Sequence, residues 1–372
     1  MRAALAAAVA APLVLAGTQA AQAAWIQQTP PKPPGVVSST LGNVSCTAAA
    51  ACMAIGNSQA HAGNRAFTET WNGTSWAIQK VANAAGTTLS VVSCTSSTAC
   101  TAVGDHTHGT GYLPVAERWD GTDWTAQTVP PLSGSVDSEL SGVSCTSPTR
   151  CVAVGDGGLG GPFSEIWNGT AWTEQVMPNP AGGDVITVSC RIGKMCEAVG
   201  RASTGPVAWS LNGAHWSVQA VPPPSGTQPG GLFGVSCGAA NFCLAVGTSN
   251  PTAASGPTAI ADVWNGTTWT EQATAPLPTV VTENGLGAVS CVRAVACTAV
   301  GDYIKFGHES LLSERWTGSR FVLQRDLVIP PKVQLTTLGG VSCPGTADCM
   351  ATGFEITAHR GATRLLAEQD QG

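Results

Sequence analysis

The sequence predicts an all-β fold, a seven-bladed β-propeller of four-stranded blades, on three observations. Its 14 cysteines fall into seven Cys-x5-Cys pairs, at 46/52, 94/100, 145/151, 190/196, 237/243, 291/297 and 343/349. Successive pairs begin 48, 51, 45, 47, 54 and 52 residues apart, near the roughly 40 to 50 residues of one four-stranded propeller blade. No segment after residue 24 carries apolar residues at three- and four-residue spacing between caps, which argues against a helical repeat.

Each repeat reads as four short strands. The first ends at Val-Ser-Cys, as in Val44-Ser45-Cys46, Val143-Ser144-Cys145 and Val341-Ser342-Cys343. The second opens at the paired cysteine and runs through Ala-Val-Gly, as in Ala102-Val103-Gly104 and Ala299-Val300-Gly301. The third ends at a tryptophan and the fourth begins at the next, in Trp71-Asn72-Gly73-Thr74-Ser75-Trp76 and its copies at 119–124, 167–172 and 264–269, with weaker forms at 211–216 and 316–321. Asn-Gly between them suggests the positive φ angles of a type I′ hairpin turn. Proline-rich pieces such as Val129-Pro130-Pro131 and Val221-Pro222-Pro223-Pro224 end the fourth strand, because proline cannot donate to a ladder.

The chain ends complete the count. The last repeat stops at Gly372 after a third strand, while Trp25-Ile26-Gln27-Gln28-Thr29-Pro30 matches the fourth strand that starts at Trp124. An N-terminal strand closing the last blade would leave the ring without an open sheet edge. The expected organisation is residues 1–23 as a signal peptide and 24–372 as one domain. Its repeats are 41–88, 89–139, 140–184, 185–231, 232–285, 286–337 and 338–372, the last completed by 24–35.

The leader rests on Met1-Arg2, an apolar run from Ala3 to Gly17, and Ala21-Gln22-Ala23 before Ala24, the layout of a secretory signal with an A-x-A cleavage site. A secreted, extracellular protein without membrane insertion is expected. In an oxidising compartment paired cysteines are disulfides before they are metal ligands. A Cys-x5-Cys hairpin sets two residues opposite each other within disulfide reach. The expected bridges are Cys46–Cys52, Cys94–Cys100, Cys145–Cys151, Cys190–Cys196, Cys237–Cys243, Cys291–Cys297 and Cys343–Cys349. Zinc would favour shorter spacings and four ligands per site, so no metal and no cofactor is expected.

Other repeated residues read as scaffold. The tryptophans are expected to pack blade on blade. An acid two residues before the third-strand tryptophan position recurs as Glu69, Glu117, Glu165, Asp262, Glu314 and Glu368, with Trp209 in the fourth blade, and is expected to accept backbone or indole N–H bonds. Gly234-Val235-Ser236-Cys237-Gly238 spells G-x-S-x-G, but that motif needs a strand-to-helix elbow and Ser236 lies in a copy of Val-Ser-Cys. A net charge of −6 without a basic block argues against nucleic-acid partners.

Across 24–372 the chain resembles secreted bacterial β-propeller families. Trp119-Asp120 and the N-terminal outer strand are similar to WD-repeat propellers, though the Gly-His element is absent; the Trp-Asn-Gly-Thr-x-Trp hairpin is similar to kelch and Asp-box turns, with one residue fewer than the Asp-box spacing. The Val-Ser-Cys and Ala-Val-Gly repeat resembles exported actinobacterial proteins, which implies no particular activity. A kelch-type copper radical oxidase would need a free cysteine crosslinked to tyrosine, whereas every cysteine here has a repeat partner.

Specificity is expected from what is not repeated, on the face that carries the loops joining strands two to three and blade to blade. The candidate binding residues are His61, Asp105, His106, His108, Asp302, His308 and His359, in the longer loops of blades six, seven, one and two, whereas blades three and four are trimmed. Solvated loop histidines are preferred to a metal-binding arc, although His and carboxylate are ordinary ligands of a divalent ion. The same face offers Asp137, Glu139, Asp156, Asp184, Glu283, Glu309 and Glu355 as further carboxylates, and a glycosidase needs two of these about 5 to 9.5 Å apart. The expectation is a non-catalytic, monomeric binding propeller presenting loops to an extracellular glycan or protein. The alternative is a secreted glycan-active hydrolase or lyase with its site in the central funnel.

Overall fold

The computed structural model describes residues 25–61, 63–82, 84–135, 137–180, 182–191, 195–225, 228–250, 256–324, 333–357 and 363–370; the leader and His359 lie outside them. Seven four-stranded antiparallel sheets form a ring, with one three-residue 3-10 turn, Gly158–Gly160, as the only helical element among the described residues. Blade one is built from Ser38–Ala48, Ala51–Ala60, Gly63–Trp71 and Trp76–Gln79. Blade seven joins Val333–Gly345, Asp348–Thr357 and Thr363–Asp370 to the N-terminal strand Trp25–Gln28, which pairs with the third strand from Trp25 opposite Asp370 to Gln28 opposite Ala367. First strands touch first strands around the whole circle and line its centre.

Seven disulfides form, one per blade, with Cα atoms 3.9 to 4.1 Å apart. The bridge begins a row across the blade: Cys46 faces Cys52, Cys52 faces Trp71, and Trp71 faces Trp76. The two indoles stack at 5.5 Å and 42°. They pack with Met350, Leu365 and Ala367 of blade seven, so the tryptophans do join blade to blade.

The serine of Val-Ser-Cys has a role its spelling did not disclose. Ser45 Oγ accepts the Cys94 N–H at 2.9 Å, Ser93 that of Cys145 at 3.0 Å, and Ser144 that of Cys190 at 2.9 Å. Ser189, Ser236 and Ser290 continue the series to Cys237, Cys291 and Cys343 at 3.0, 2.9 and 3.0 Å. Ser342 closes it by accepting from Cys46 at 2.8 Å. Each blade is thus pinned to the next by one bond between inner strands.

The glycine of Ala-Val-Gly answers a backbone constraint. Every first strand bulges, and a second-strand glycine faces the start of the bulge, as Gly104 faces Leu89 and Gly155 faces Leu140. A Cβ on Gly155 would lie 1.9 Å from the Glu139 carbonyl oxygen, and one on Gly104 would lie 2.0 Å from that of Thr88.

The tryptophan hairpin differs from the expected type I′ turn. Trp71 pairs with Trp76 across four residues, and only the glycine takes positive φ, 95° at Gly73. Asn72 Oδ1 instead accepts the N–H groups of Thr74 and Ser75, both at 2.9 Å, an Asx turn that stands in for backbone bonding. In blade two Asp120 does the same, and the N–H groups of Asp123 and Thr122 hold its carboxyl down to about 2. Blade four keeps a true two-residue loop, with Asn212 paired to His215.

The repeated acids are buried. Glu314 accepts the Ala275 N–H at 2.9 Å, whereas both carboxyl oxygens of Glu69 and of Glu165 have no hydrogen-bond partner among the described residues. Burial pushes Glu69, Glu165 and Glu368 up to about 8 and Asp262 and Glu314 up to about 7. They are best regarded as neutral acids sealed between blades.

Two outcomes are expected. Ser236→Ala leaves the Cys291 N–H without its acceptor and should cost about 1 kcal/mol, while Gly155→Ala forces backbone apart and should cost about 3 kcal/mol, both read by urea unfolding of the oxidised protein. The buried acids have folded pKa values above their unfolded ones, so their contribution is complete below the unfolded value and is lost as pH rises through about 7 to 8. The thermal midpoint should therefore fall from about pH 5 to about pH 9, and Glu69→Gln should flatten that fall; a flat wild-type profile would contradict neutral acids.

Candidate functional site

Strand direction puts the disulfides and tryptophan turns at one end of every blade. The second-to-third hairpins and the blade-to-blade connectors share the other end. On this connector face the longer loops of blades one, two and six are ladders rather than irregular chain. Second and third strands continue as paired ribbons to tips at Ala60/Gly63, His108/Gly111 and Lys305/His308. Blades three and four have short strands here, Arg150–Asp156 with Pro162–Trp167 and Met195–Ala202 with Gly205–Asn212.

His61, His108 and His308 are exposed at the tips of three separate ribbons. Beside His308, Phe306 is 73% exposed with φ 52°, followed by Gly307 at φ 76°. This is the two-residue positive-φ turn the sequence suggested for Asn-Gly, here carried by an apolar residue. No group of three or more His, Cys, Asp or Glu among the described residues is placed to hold a metal ion.

His106 differs from the tip histidines. It is half-buried, its Nδ1 lies 3.1 Å from Thr87 Oγ1, and it lines a cavity of about 760 Å3. Leu113, Val115 and Val129 form much of the apolar wall, the exposed Arg65 and Lys80 also line it, and no carboxylate among the described residues does. The connector from blade one to blade two forms one side. It is stitched to blade one by Ala66 N–H to Ala84 O at 3.0 Å and Gly86 N–H to Asn64 O at 2.8 Å.

The cavity has a cause in the sequence. Counting eight residues from the fourth-strand tryptophan reaches Ala84 in this connector and Leu132 in the next. Leu132 fills the space above Gly157, where an added Cβ would sit 2.1 Å from its Cδ2. Above blade two a methyl replaces the isobutyl group, and His106 stands at the position of Gly157. Of the residues lining this cavity, sequence reading singled out His106 and not Lys80, Ala84, Leu113, Val115 or Val129; the sequence signal for the cavity is an alanine-rich connector, Val81-Ala82-Asn83-Ala84-Ala85, where the others carry proline.

The face carboxylates fall into three groups. Asp105, Asp137, Glu139, Asp156 and Asp184 interact electrostatically across blades two to four. Asp137 Oδ1 accepts the Tyr112 N–H at 3.0 Å, Asp156 Oδ1 accepts that of Gly158 at 2.7 Å, and Asp184 pairs with Arg201 at 3.2 Å. Asp105 is only 8% exposed and no hydrogen bond reaches it from the described residues. Burial, with Glu139 and Asp137 adding repulsion, pushes it up to about 6. A second group, Glu283, Asp302 and Glu309, lines a cavity of about 270 Å3 between blades five and six. Burial and then Glu309 push Asp302 up to about 6. Glu355, in blade seven, lies 3.8 Å from Arg364 and adds repulsion to the buried Glu368.

No helix of the described residues is long and apolar enough to cross a membrane, and the seven disulfides suit an oxidising environment. No family model and no curated protein sequence matches the chain. Solved structures are similar in fold. YCF48 from Cyanidioschyzon merolae superposes with a TM-score of 0.59 at 14% identity, covering 93% of this chain and 98% of that one; a structure of YCF48 bound to D1 peptide gives 0.56 at 11%, covering 94% and 95%. The RRP9 WD40 repeats give 0.61 at 9% identity, covering 93% and 100%. A PL25 polysaccharide lyase, an ulvan lyase, gives 0.56 at 8%, covering 90% and 95%. At these identities the likeness establishes a shared β-propeller architecture.

Proposed function

We propose that the chain is an exported, non-catalytic binding propeller that takes an extracellular protein or glycan on its connector face. The observation that carries this reading is the 760 Å3 cavity over blade two, open on that face and within the size range of ligand sites. Scaffold roles absorb the repeated serines, glycines and tryptophans, so the non-repeated connector residues are the ones free to specify a partner. The similar fold of YCF48, solved with a peptide bound, is compatible with a peptide partner and assigns none.

A second reading, a glycan-active hydrolase or lyase, is favoured by Asp105. A buried carboxyl raised to about 6 beside Glu139 and Asp137 resembles the division between a protonated acid and an ionised partner in carboxylate catalysis. One experiment separates the two: glycan and peptide arrays with the oxidised protein, following both binding and release of reducing ends or unsaturated sugars. Binding without release supports the binding propeller, and silence in both arrays overturns it. Sugar release would overturn the non-catalytic reading, and Asp105→Asn should then abolish it; release that survives this change would exclude Asp105 as the acid.

A further inference from the structure

We propose that the cavity over blade two is a site for an apolar carboxylate, its charged head between Arg65 and Lys80 and its body against the aliphatic wall; this rests on the binding reading above. Shape is the first observation. The space exists because Ala84 stands where the next connector places Leu132, and it is held open by the backbone bonds that fix the connector to blade one.

Charge is the second observation. Neither Arg65 nor Lys80 forms an ion pair among the described residues, although the protein carries net negative charge and its other two described face arginines, Arg201 and Arg364, are both paired with acids. Two unpaired cations beside a cavity without a carboxylate complement an anion. Arginine offers a fork matched to a carboxylate and lysine a point charge.

The wall chemistry selects the rest of the ligand. Leu113, Val115 and Val129 present aliphatic surface and no Phe, Tyr or Trp among the described residues lines the cavity, so it lacks the broad flat platform on which a sugar stacks. Polar groups are few and already oriented. Thr87 sets the His106 ring. Gln127 Oε1 receives the Trp172 indole N–H at 2.9 Å, which leaves the amide N–H groups as that side chain's offering to the cavity. Cationic and amide donors set in a largely aliphatic lining suit a carboxylate on an apolar body, whether the C-terminus of a peptide ending in an aliphatic residue or a medium-chain fatty acid.

Calorimetric titration of the oxidised protein would use four probes: an N-acetylated tetrapeptide ending in leucine, its C-terminal amide, decanoate and trigalacturonate. Binding of the free-acid peptide but not its amide supports a chain terminus as the source, and binding of decanoate alone supports a fatty acid. Equal binding of acid and amide, binding of trigalacturonate alone, or no binding at all overturns the proposal. For a bound acid, the double variant Arg65→Gln/Lys80→Gln should weaken binding at least about tenfold, as expected when two charge-assisted contacts are lost. Ala84→Leu should fill the space and abolish binding with the thermal midpoint kept or raised, so that lost binding is not lost folding. An array partner whose binding is unchanged in Ala84→Leu would overturn this site while leaving the binding propeller intact.

Discussion

The hydrogen bond from each first-strand cysteine N–H to the serine of the preceding blade is the constraint on which the rest of the ring depends. A first strand is the inner edge of its sheet, so its inward-facing backbone groups have no ladder partner within the blade. A buried N–H without an acceptor is costly, and the serine supplies one from the neighbouring blade. Because Ser342 bonds to Cys46 as Ser45 bonds to Cys94, the inner circle closes on the same terms as it propagates. The N-terminal strand then closes the outer circumference by pairing with the last blade's third strand. Inner and outer closure are thus carried by different interactions. The disulfide beside each serine holds the hairpin that presents it, and the bulge facing glycine brings the first strand close to the second without a side chain between them.

The outer half of the scaffold solves a similar problem less uniformly. Some of the indole N–H groups buried between blades find an acceptor on the preceding third strand: Trp124 donates to Thr68 Oγ1 and Trp216 to Ser164 Oγ, whereas Trp25 Nε1 and Trp76 Nε1 have no partner among the described residues. Where that position is Ala116 or Ala208, the cross-strand partners Gln127 and Gln219 accept instead, from Trp172 and Trp269. In blades two to five the exchange lets the outer strand be written differently while its tryptophan is kept; blade six has Phe321 in its place. It also binds Gln127 to the scaffold and the cavity at once, so cavity geometry is tied to the docking of blade three.

Features set by covalent chemistry or backbone close approach were legible in the sequence. The cysteine pairs, the period, the glycine of Ala-Val-Gly and the N-terminal strand all leave a residue in the text wherever the constraint operates. The tryptophan turn was misread because Asn-Gly serves both a two-residue loop and a four-residue Asx loop. The choice is made by register, which pairs Trp71 with Trp76 but Asn212 with His215. His61, His108 and His308 were read as loop residues, but their separation onto three ribbon tips follows from hairpins that continue as ladders, a matter of pairing rather than composition. The cavity was the least legible feature. It comes from a side chain that is small at Ala84 and large at Leu132, and a repeat pattern records the residues that recur more readily than the volume one copy omits.

Asp105 and His106 are consecutive on one strand, and alternate strand residues point to opposite faces of a sheet. His106 accordingly meets Thr87 and the cavity beside connector one, while Asp105 meets the charges of Glu139 and Asp137 from blade three. Blade two itself separates the cation-rimmed cavity from the acidic group, so the anion held by one need not approach the repulsive field of the other. The order of charges around the face follows from this: unpaired cations before blade two, and carboxylates from its far side to Asp184, where Arg201 ends the run. Binding and catalysis, if both belong to this protein, are therefore separable by residue, with Arg65 and Ala84 reporting on one side of a single β-sheet and Asp105 on the other.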